Sequence, residues 1–177
     1  MSRSARDRSS GRHTGSQKET QKPDLPQGEA SNRQSGEDQV SGSDSSLALQ
    51  NAVIAALRAD AAVKAIVADR VWDAPPAKPV KPYISLGPMQ VLADVADGYE
   101  GSDVALQVDG WAEGPAQKAI HQLGAAIRAA LSGADLALVD DQRLVNIEPE
   151  QTNYLVEPDG ITQHAAVTFT ARTEPTA

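Results

Sequence analysis

Two segments of the chain carry apolar residues at helical spacing, which predicts two amphipathic helices. The first begins near Ser45, and a short turn capped by Asp60 follows it. The second opens at Pro115, because proline is tolerated at the first helical position, and stops at Gly133. The apolar positions are Leu49, Ala52, Val53, Ala56 and Leu57 in the first helix, Val63, Ile66 and Val67 after Asp60, and Ala116, Ile120, Leu123, Ile127 and Leu131 in the second.

Alternation of apolar and polar residues predicts strands in the remaining parts of the chain. The clearest strand runs from Ile161 to Arg172, where only Gln163 breaks the alternation. Four prolines between residues 75 and 82 exclude a helix or a central strand and predict an extended connector. The acidic, glycine-containing segment 93–103 predicts a loop or the tip of a long hairpin. The other predicted strands are residues 83–92, 104–111, 136–139, 144–147 and 154–156, with Pro149 interrupting the last two.

This order of elements predicts an α+β domain over residues 47–177, in which two helices pack on one face of an antiparallel sheet. A segment of this length can bury the core of one domain. A sheet of four to six strands leaves edges that need cover, and oligomerisation is one way to supply it.

Residues 1–46 differ from the rest in composition and charge. They are rich in Ser, Gly, Gln, Arg and Asp and contain few apolar residues, which predicts a disordered extension. They hold seven basic and seven acidic residues, whereas residues 47–177 hold nine and 17, so the net charge of −8 belongs to the domain. All six aromatic residues also follow residue 70.

Composition excludes several classes of protein. The chain has no cysteine, so it holds neither disulfides nor Cys-ligated metal sites. No run of 18 apolar residues predicts a membrane span, and the N-terminus lacks the apolar core of a secretory signal. The acidic domain argues against sequence-independent binding of DNA, which requires clustered Lys and Arg.

Residues with catalytic chemistry are few and scattered. The three histidines, His13, His121 and His164, lack metal-ligand spacing, and His164 is expected to be an ordinary exposed or interface residue. No nucleophile elbow, phosphate-binding loop or dinucleotide fingerprint is present. Trp72 and Trp111 are not set among clustered Lys and Arg residues that would favour base stacking, so core or interface roles are preferred. We therefore expect no catalytic residue, no metal and no cofactor.

The succession of segments along the domain resembles the tail-completion, or tail-terminator, proteins of long-tailed phages and gene transfer agents. The resemblance covers residues 47–174, nearly all of the predicted domain, and the first 46 residues fall outside it. It rests on the order and spacing of residues 49–57, 60–63, 70–75, 82–87, 104–108 with Trp111, 125–131, 157–160 and 164–174.

The resemblance implies a non-enzymatic structural protein of the virion, with a tail-terminator-like α+β fold. Such proteins assemble in the host cytoplasm into a homo-oligomeric ring, usually a hexamer, on the last ring of the tail tube. The ring ends tube polymerisation and presents a surface to a head–tail connector protein, and DNA passes through it without specific binding. Two alternatives stay open: a head-closure or connector protein on the portal side, and, from a different class, a small hydrolase or nucleotide-binding enzyme.

Two groups of residues are candidates for such a ring. The acidic segment with Asp94, Asp97, Glu100 and Asp103 is long enough to project from the sheet and to line the channel or clamp a neighbouring subunit. Trp72 and Tyr83 flank the proline-rich connector and are candidate anchors at a subunit interface.

Overall fold

The computed structural model of the chain describes residues 45–96, 99–115, 117–139 and 141–176. These residues form three helices and five strands, and the first helix begins two residues before the predicted domain. In chain order they are α1 (Ser45–Ala59), α2 (Ala61–Val67), β1 (Val71–Trp72), β2 (Tyr83–Ala96), β3 (Tyr99–Glu113), α3 (Lys118–Leu131), β4 (Gln142–Val156) and β5 (Thr162–Pro175).

The strands form one sheet in the order β1-β2-β3-β5-β4. The two residues of β1 run parallel to β2, and the other three pairs of neighbouring strands are antiparallel. The predicted α+β class is therefore confirmed. The predicted turn after Asp60 is a third helix, and its N-cap is confirmed because Asp60 Oδ1 accepts the Val63 N–H at 2.8 Å.

The helices pack on one face of the sheet, which we call the helix face. Their predicted apolar stripes supply one side of the core, and Ile84, Val108, Val167 and Phe169 supply the other. Burial of apolar surface between these layers is the main stabilising contribution. The buried residues of the two long stripes are Leu49, Val53 and Leu57 in α1 and Ile120, Leu123, Ile127 and Leu131 in α3.

Helix α3 begins at Lys118, three residues later than Pro115 predicts. The reason is that the preceding backbone is still attached to the sheet. The Gly114 N–H donates to Ile161 O at 3.1 Å, and Gly114 O accepts from Gln163 Nε2 at 2.7 Å. Gly114 also has a φ of 129°, outside the helical region. The helix ends as predicted, with a φ of 63° at Gly133.

In the C-terminal half, the strand predicted at residues 136–139 is wrong, and so is the predicted interruption at Pro149. Residues 136–139 join no strand; instead Leu136 is buried in the core. The segments on either side of Pro149 form the single strand β4. Because β4 is an edge strand, proline is tolerated there without loss of a ladder hydrogen bond, and the register with β5 shifts directly after it.

The long hairpin β2–β3 contains a register shift that exchanges the faces of β2. Leu86 pairs with Val108 and Met89 with Leu106, so β2 has one residue more than β3 between these pairs. Leu86 and Met89 consequently both pack against the core, although their numbers differ in parity. Beyond this point the odd-numbered residues of β2 lie on the helix face and the even-numbered ones on the opposite face.

Candidate functional site

A row of four rings crosses the sheet face opposite the helices, which we call the open face. Trp72, Tyr83, Trp111 and His164 come from β1, β2, β3 and β5 respectively. Ring centroids are 5.7 Å apart for Trp72 and Tyr83, 6.0 Å for Tyr83 and Trp111, and 4.0 Å for Trp111 and His164. The row forms because Tyr83, Trp111 and His164 are direct cross-strand partners.

Asp109 lies beside this row and is buried although no helix covers it. Its Oδ1 lies 2.7 Å from Gln107 Nε2 and 2.8 Å from His164 Nε2. Gly87 makes room for the carboxylate, since a Cβ there would lie 2.6 Å from Asp109 Oδ2. The other ring nitrogen of His164 lies 3.4 Å from Glu157. His164 is thus held between two carboxylates and is mostly buried, not exposed as its place in the alternation suggests.

One further contact fixes the row, and burial affects the ionisation of one of its members. Trp111 Nε1 donates to Ser85 Oγ at 3.0 Å, so this serine hydroxyl supports an indole. Burial, and secondarily the charge of Asp109, raises the pKa of the Tyr83 phenol above its usual 10.0. Both effects oppose formation of a phenolate in the sheet.

The predicted anchors Trp72 and Tyr83 are therefore neighbours in space. Tyr83 is covered by its own chain, whereas Trp72 is only partly buried. Trp72 consequently has more surface available to another subunit. Its role as an anchor stays a prediction.

The predicted acidic loop is largely strand. Asp94 lies in β2, Glu100 and Asp103 lie in β3, and Asp97 lies outside the described residues. Asp94 pairs through its backbone with Gly101, which shows that the ladder continues to the end of the hairpin. The Asp103 carboxylate lies 3.7 Å from the Arg172 guanidinium of β5. The acidic residues thus mark the far end of a long hairpin.

The sequence did not indicate the buried group around Asp109. Asp109 and His164 are 55 positions apart and meet only because β3 and β5 pair in one register. Their polar character within alternating strands favours solvent exposure when read from sequence alone. A break in that alternation is the only available signal, and it occurs at Gln163 instead.

Within the described residues, no three His, Asp or Glu side chains are arranged to hold a metal ion. His121 packs on Tyr154 with a centroid distance of 4.0 Å, and His13 lies outside the described part of the chain. None of the helices that the structure describes is both long and apolar enough to span a membrane.

Comparison with known protein families identifies the family of this chain. A model of the tail completion protein gp17 family matches residues 51–174, which include every strand of the sheet except the last residue of β5. The chain belongs to the tail completion protein gp17 family. It is therefore a structural protein of a virion tail.

A solved structure contains a chain that is similar to this protein over almost the whole length of that chain. A chain in the structure titled "Virion of native gene transfer agent (GTA) particle" is 31% identical to this protein and superposes with a TM-score of 0.68. The match covers 73% of this chain and 96% of that chain. No curated protein sequence matches the chain.

Proposed function

We propose that the protein caps the tail tube as a homo-oligomeric ring, ends tube polymerisation and provides the surface to which the head is joined. The observation that carries this proposal is the match of the tail completion family over residues 51–174. The likeness to a chain of a gene transfer agent virion over 96% of that chain adds support. In this role the protein acts by assembly and catalyses no reaction.

The sheet supports assembly into a ring of identical subunits. Its two ends are different strands, so contact between one end and the other end of a neighbour is heterologous. Heterologous contacts close into a ring when the rotation from one subunit to the next is a whole-number fraction of a full turn. We take the ring to be a hexamer, seated on the tail tube protein and facing a head–tail connector protein.

The charge of the domain supports passage of DNA through the ring. Residues 47–177 hold 17 acidic and nine basic residues, and such a surface repels phosphates. In the ring, the acidic end of the hairpin with Asp94, Asp97, Glu100 and Asp103 lines the channel or clamps the next subunit. Trp72 and Tyr83 lie near a subunit contact.

Deletion of the gene, with complementation by the intact copy, tests the proposal. Electron microscopy of the particles is expected to show tails of uncontrolled length without attached heads, and complementation is expected to restore full particles. Tails of normal length in the deletion strain would contradict a role in ending the tube. A matched complementation with the triple variant Asp94→Lys, Asp97→Lys, Glu100→Lys tests the hairpin, because normal rings and normal infectivity would dismiss its proposed role.

The second candidate is a head-closure or connector protein on the portal side of the junction. The family match favours the tail side, because the family is described as one of tail completion. Pull-down of purified tube protein and purified portal protein separates the two candidates. Binding to tube protein alone, or to both, supports the tail cap, and binding to portal protein alone supports the alternative.

A further inference from the structure

The sheet has two long outer edges that no strand of the described residues fully covers. On one side, β1 pairs only with Ile84 and Ser85, so the outer edge of β2 from Met89 to Ala96 has no strand beside it. On the other side, β4 is the last strand of the sheet. Uncovered edges present unpaired N–H and C=O groups and accept a further strand.

Half of the β4 edge is protected against strand addition. The Gly133 N–H already donates to Ile147 O at 2.9 Å, and Pro149 has no N–H to offer. The register with β5 also shifts around Val145 and Glu150. These are devices by which edge strands avoid pairing. After Glu150 the pairing is regular, so the open stretch of β4 is residues 151–156.

The open stretches of β2 and β4 expose apolar side chains that match in position. Val91, Leu92, Leu155 and Val156 are 40%, 59%, 49% and 53% exposed. Leu92 and Leu155 lie on the open face, because their row partners there are Asp103 and His164. Val91 and Val156 lie on the helix face. Each edge thus carries an adjacent pair of apolar residues, one on each face.

We propose that a second copy of this chain adds the open stretch of its β4 to the open stretch of β2, antiparallel, with Leu92 opposite Leu155 and Val91 opposite Val156. This inference rests on the proposed ring and specifies its subunit contact. Successive strand pairs from β2 to β4 are all antiparallel, so β2 and β4 run in opposite directions. A second copy in the same orientation therefore brings its β4 antiparallel to β2 with the helix faces on the same side.

The register also staggers successive subunits along the strands. Within one subunit, the row of cross-strand partners through Tyr83, Trp111 and His164 ends at Leu155, far from the level of Leu92. Pairing of Leu155 with Leu92 therefore displaces the second copy toward the end of the hairpin. Closed sheets require such a stagger, because their strands tilt relative to the axis.

Charge complementarity supports the same contact. When Leu92 lies opposite Leu155, Ala96 of β2 lies opposite Gln151 of the second copy. Gln151 and Arg128 of that copy line one cavity of about 290 Å³. The Arg128 guanidinium makes no hydrogen bond or ion pair with the residues that the structure describes, whereas Arg58 and Arg70 each bind a backbone oxygen. Residues 94–103, at the end of the hairpin, contain four acidic and no basic residues. The pairing brings this end of the hairpin next to the part of β4 that lines the cavity with Arg128.

Disulfide trapping tests the register, because the chain contains no cysteine. Directly opposed Cβ atoms in antiparallel strands are about 4.5–5.5 Å apart, close enough for a disulfide after small adjustments. We expect the full-length double variant Leu92→Cys, Leu155→Cys to form a ladder of covalent multimers on oxidation, since each subunit forms two links. The matched control Leu92→Cys, Val80→Cys uses an exposed valine in the proline-rich connector and is expected to give no ladder.

The outcomes separate this inference from the proposed function. Rings seen by mass photometry without a ladder overturn the pairing and leave the ring intact. A double variant that is monomeric at about 100 μM and forms no ladder also overturns it, and the tail-length experiment then decides the function independently. A ladder of equal yield from the control overturns it as well, because the links would then be unspecific.

A charge variant gives a second, independent measurement. Arg128→Glu is expected to weaken subunit association by at least about tenfold, because it places a carboxylate beside the acidic hairpin of the neighbour. Lys118→Glu is the matched control, since Lys118 is exposed at the start of the same helix. Equal association of the two variants, measured by analytical ultracentrifugation, would contradict the contact between the hairpin and Arg128.

Discussion

The imidazole of His164 lies parallel to the indole of Trp111, at an interplanar angle of 5° and a centroid distance of 4.0 Å. Each ring is fixed by a polar partner on another strand: Trp111 by Ser85 of β2 and His164 by Asp109 of β3. The stacked pair thus ties β2, β3 and β5 together on the face that no helix covers. The open face is consequently ordered by its own side chains.

Replacement of Asp109 by alanine should destabilise the domain. The change removes the acceptor of Gln107 and His164, and leaving buried donors unpaired costs about 1–3 kcal/mol. Urea unfolding followed by circular dichroism measures the loss. Asp103→Ala is the control, because the Asp103 carboxylate is paired with Arg172 at an exposed position and loss of such a pair should cost less than about 1 kcal/mol. Equal decreases in the free energy of unfolding for the two variants would show that the hydrogen bonds of Asp109 contribute no more than an exposed ion pair.

The Tyr83 phenol should ionise above pH 10. Burial is the larger cause and Asp109 the smaller, so Asp109→Asn should lower the pKa of Tyr83 only part of the way toward 10.0. Because the folded pKa is raised, the associated stability is present below pH 10 and is lost as pH rises through the folded value. Absorbance at 295 nm in a Tyr99→Phe, Tyr154→Phe background reports Tyr83 alone. Titration of that background at or below pH 10 would contradict the burial argument.

The turn between β4 and β5 should weaken in strong acid. Hydrogen bonds from the Thr162 hydroxyl, the Thr162 N–H and the Ile161 N–H lower the pKa of Asp159 from 3.8 to about 2. Because the folded pKa is depressed, the associated stability is present above pH 3.8 and is lost as pH falls through about 2. The carboxyl carbon shift in NMR gives the midpoint directly. In Thr162→Val, which lacks the hydroxyl, the midpoint should move toward 3.8; an unchanged midpoint would rule out the side-chain hydrogen bond as the main cause.

Gly124→Ala should lower the melting temperature, although alanine favours helices by about 1 kcal/mol over glycine. A Cβ at this position of α3 would lie 2.7 Å from Tyr154 Oη and 3.0 Å from Tyr154 Cε1. Overpacking of this kind typically lowers the free energy of unfolding by about 1–3 kcal/mol. The second change Tyr154→Leu should remove the clash, so that Gly124→Ala becomes neutral or stabilising in that background. A loss of the same size in both backgrounds would exclude the clash as its cause.

Trp72→Ala should reduce the mass of the oligomer without unfolding the subunit. Trp72 is partly exposed at the end of the aromatic row, so its ring is available to a neighbouring subunit. Light scattering measures the mass, and far-UV circular dichroism verifies the fold. Asp73→Ala, at the adjacent exposed position, is the control. An unchanged mass for Trp72→Ala would dismiss the anchor.

Local periodicity was sufficient to predict the elements that pack on one face. The stripe from Ile120 to Leu131 and the alternation from Ile161 to Arg172 follow directly from burial on one side. Features that depend on a neighbouring strand were missed. Pro149 is compatible with a continuous strand only because β4 is an edge, and the Asp109–His164 pair depends on the register of β3 and β5. Neither property is encoded within a window of adjacent residues.

The register shift at Gly87 and Pro88 has a consequence for how this hairpin can change in length. For every residue between the shift and the far end of β2, the shift determines whether the side chain lies on the helix face or on the open face. A single residue inserted between Met89 and Val91 would move Val91 from the helix face to the open face. Related proteins with longer or shorter hairpins are therefore expected to differ at the end of the hairpin, beyond Val91, or to have moved the shift itself.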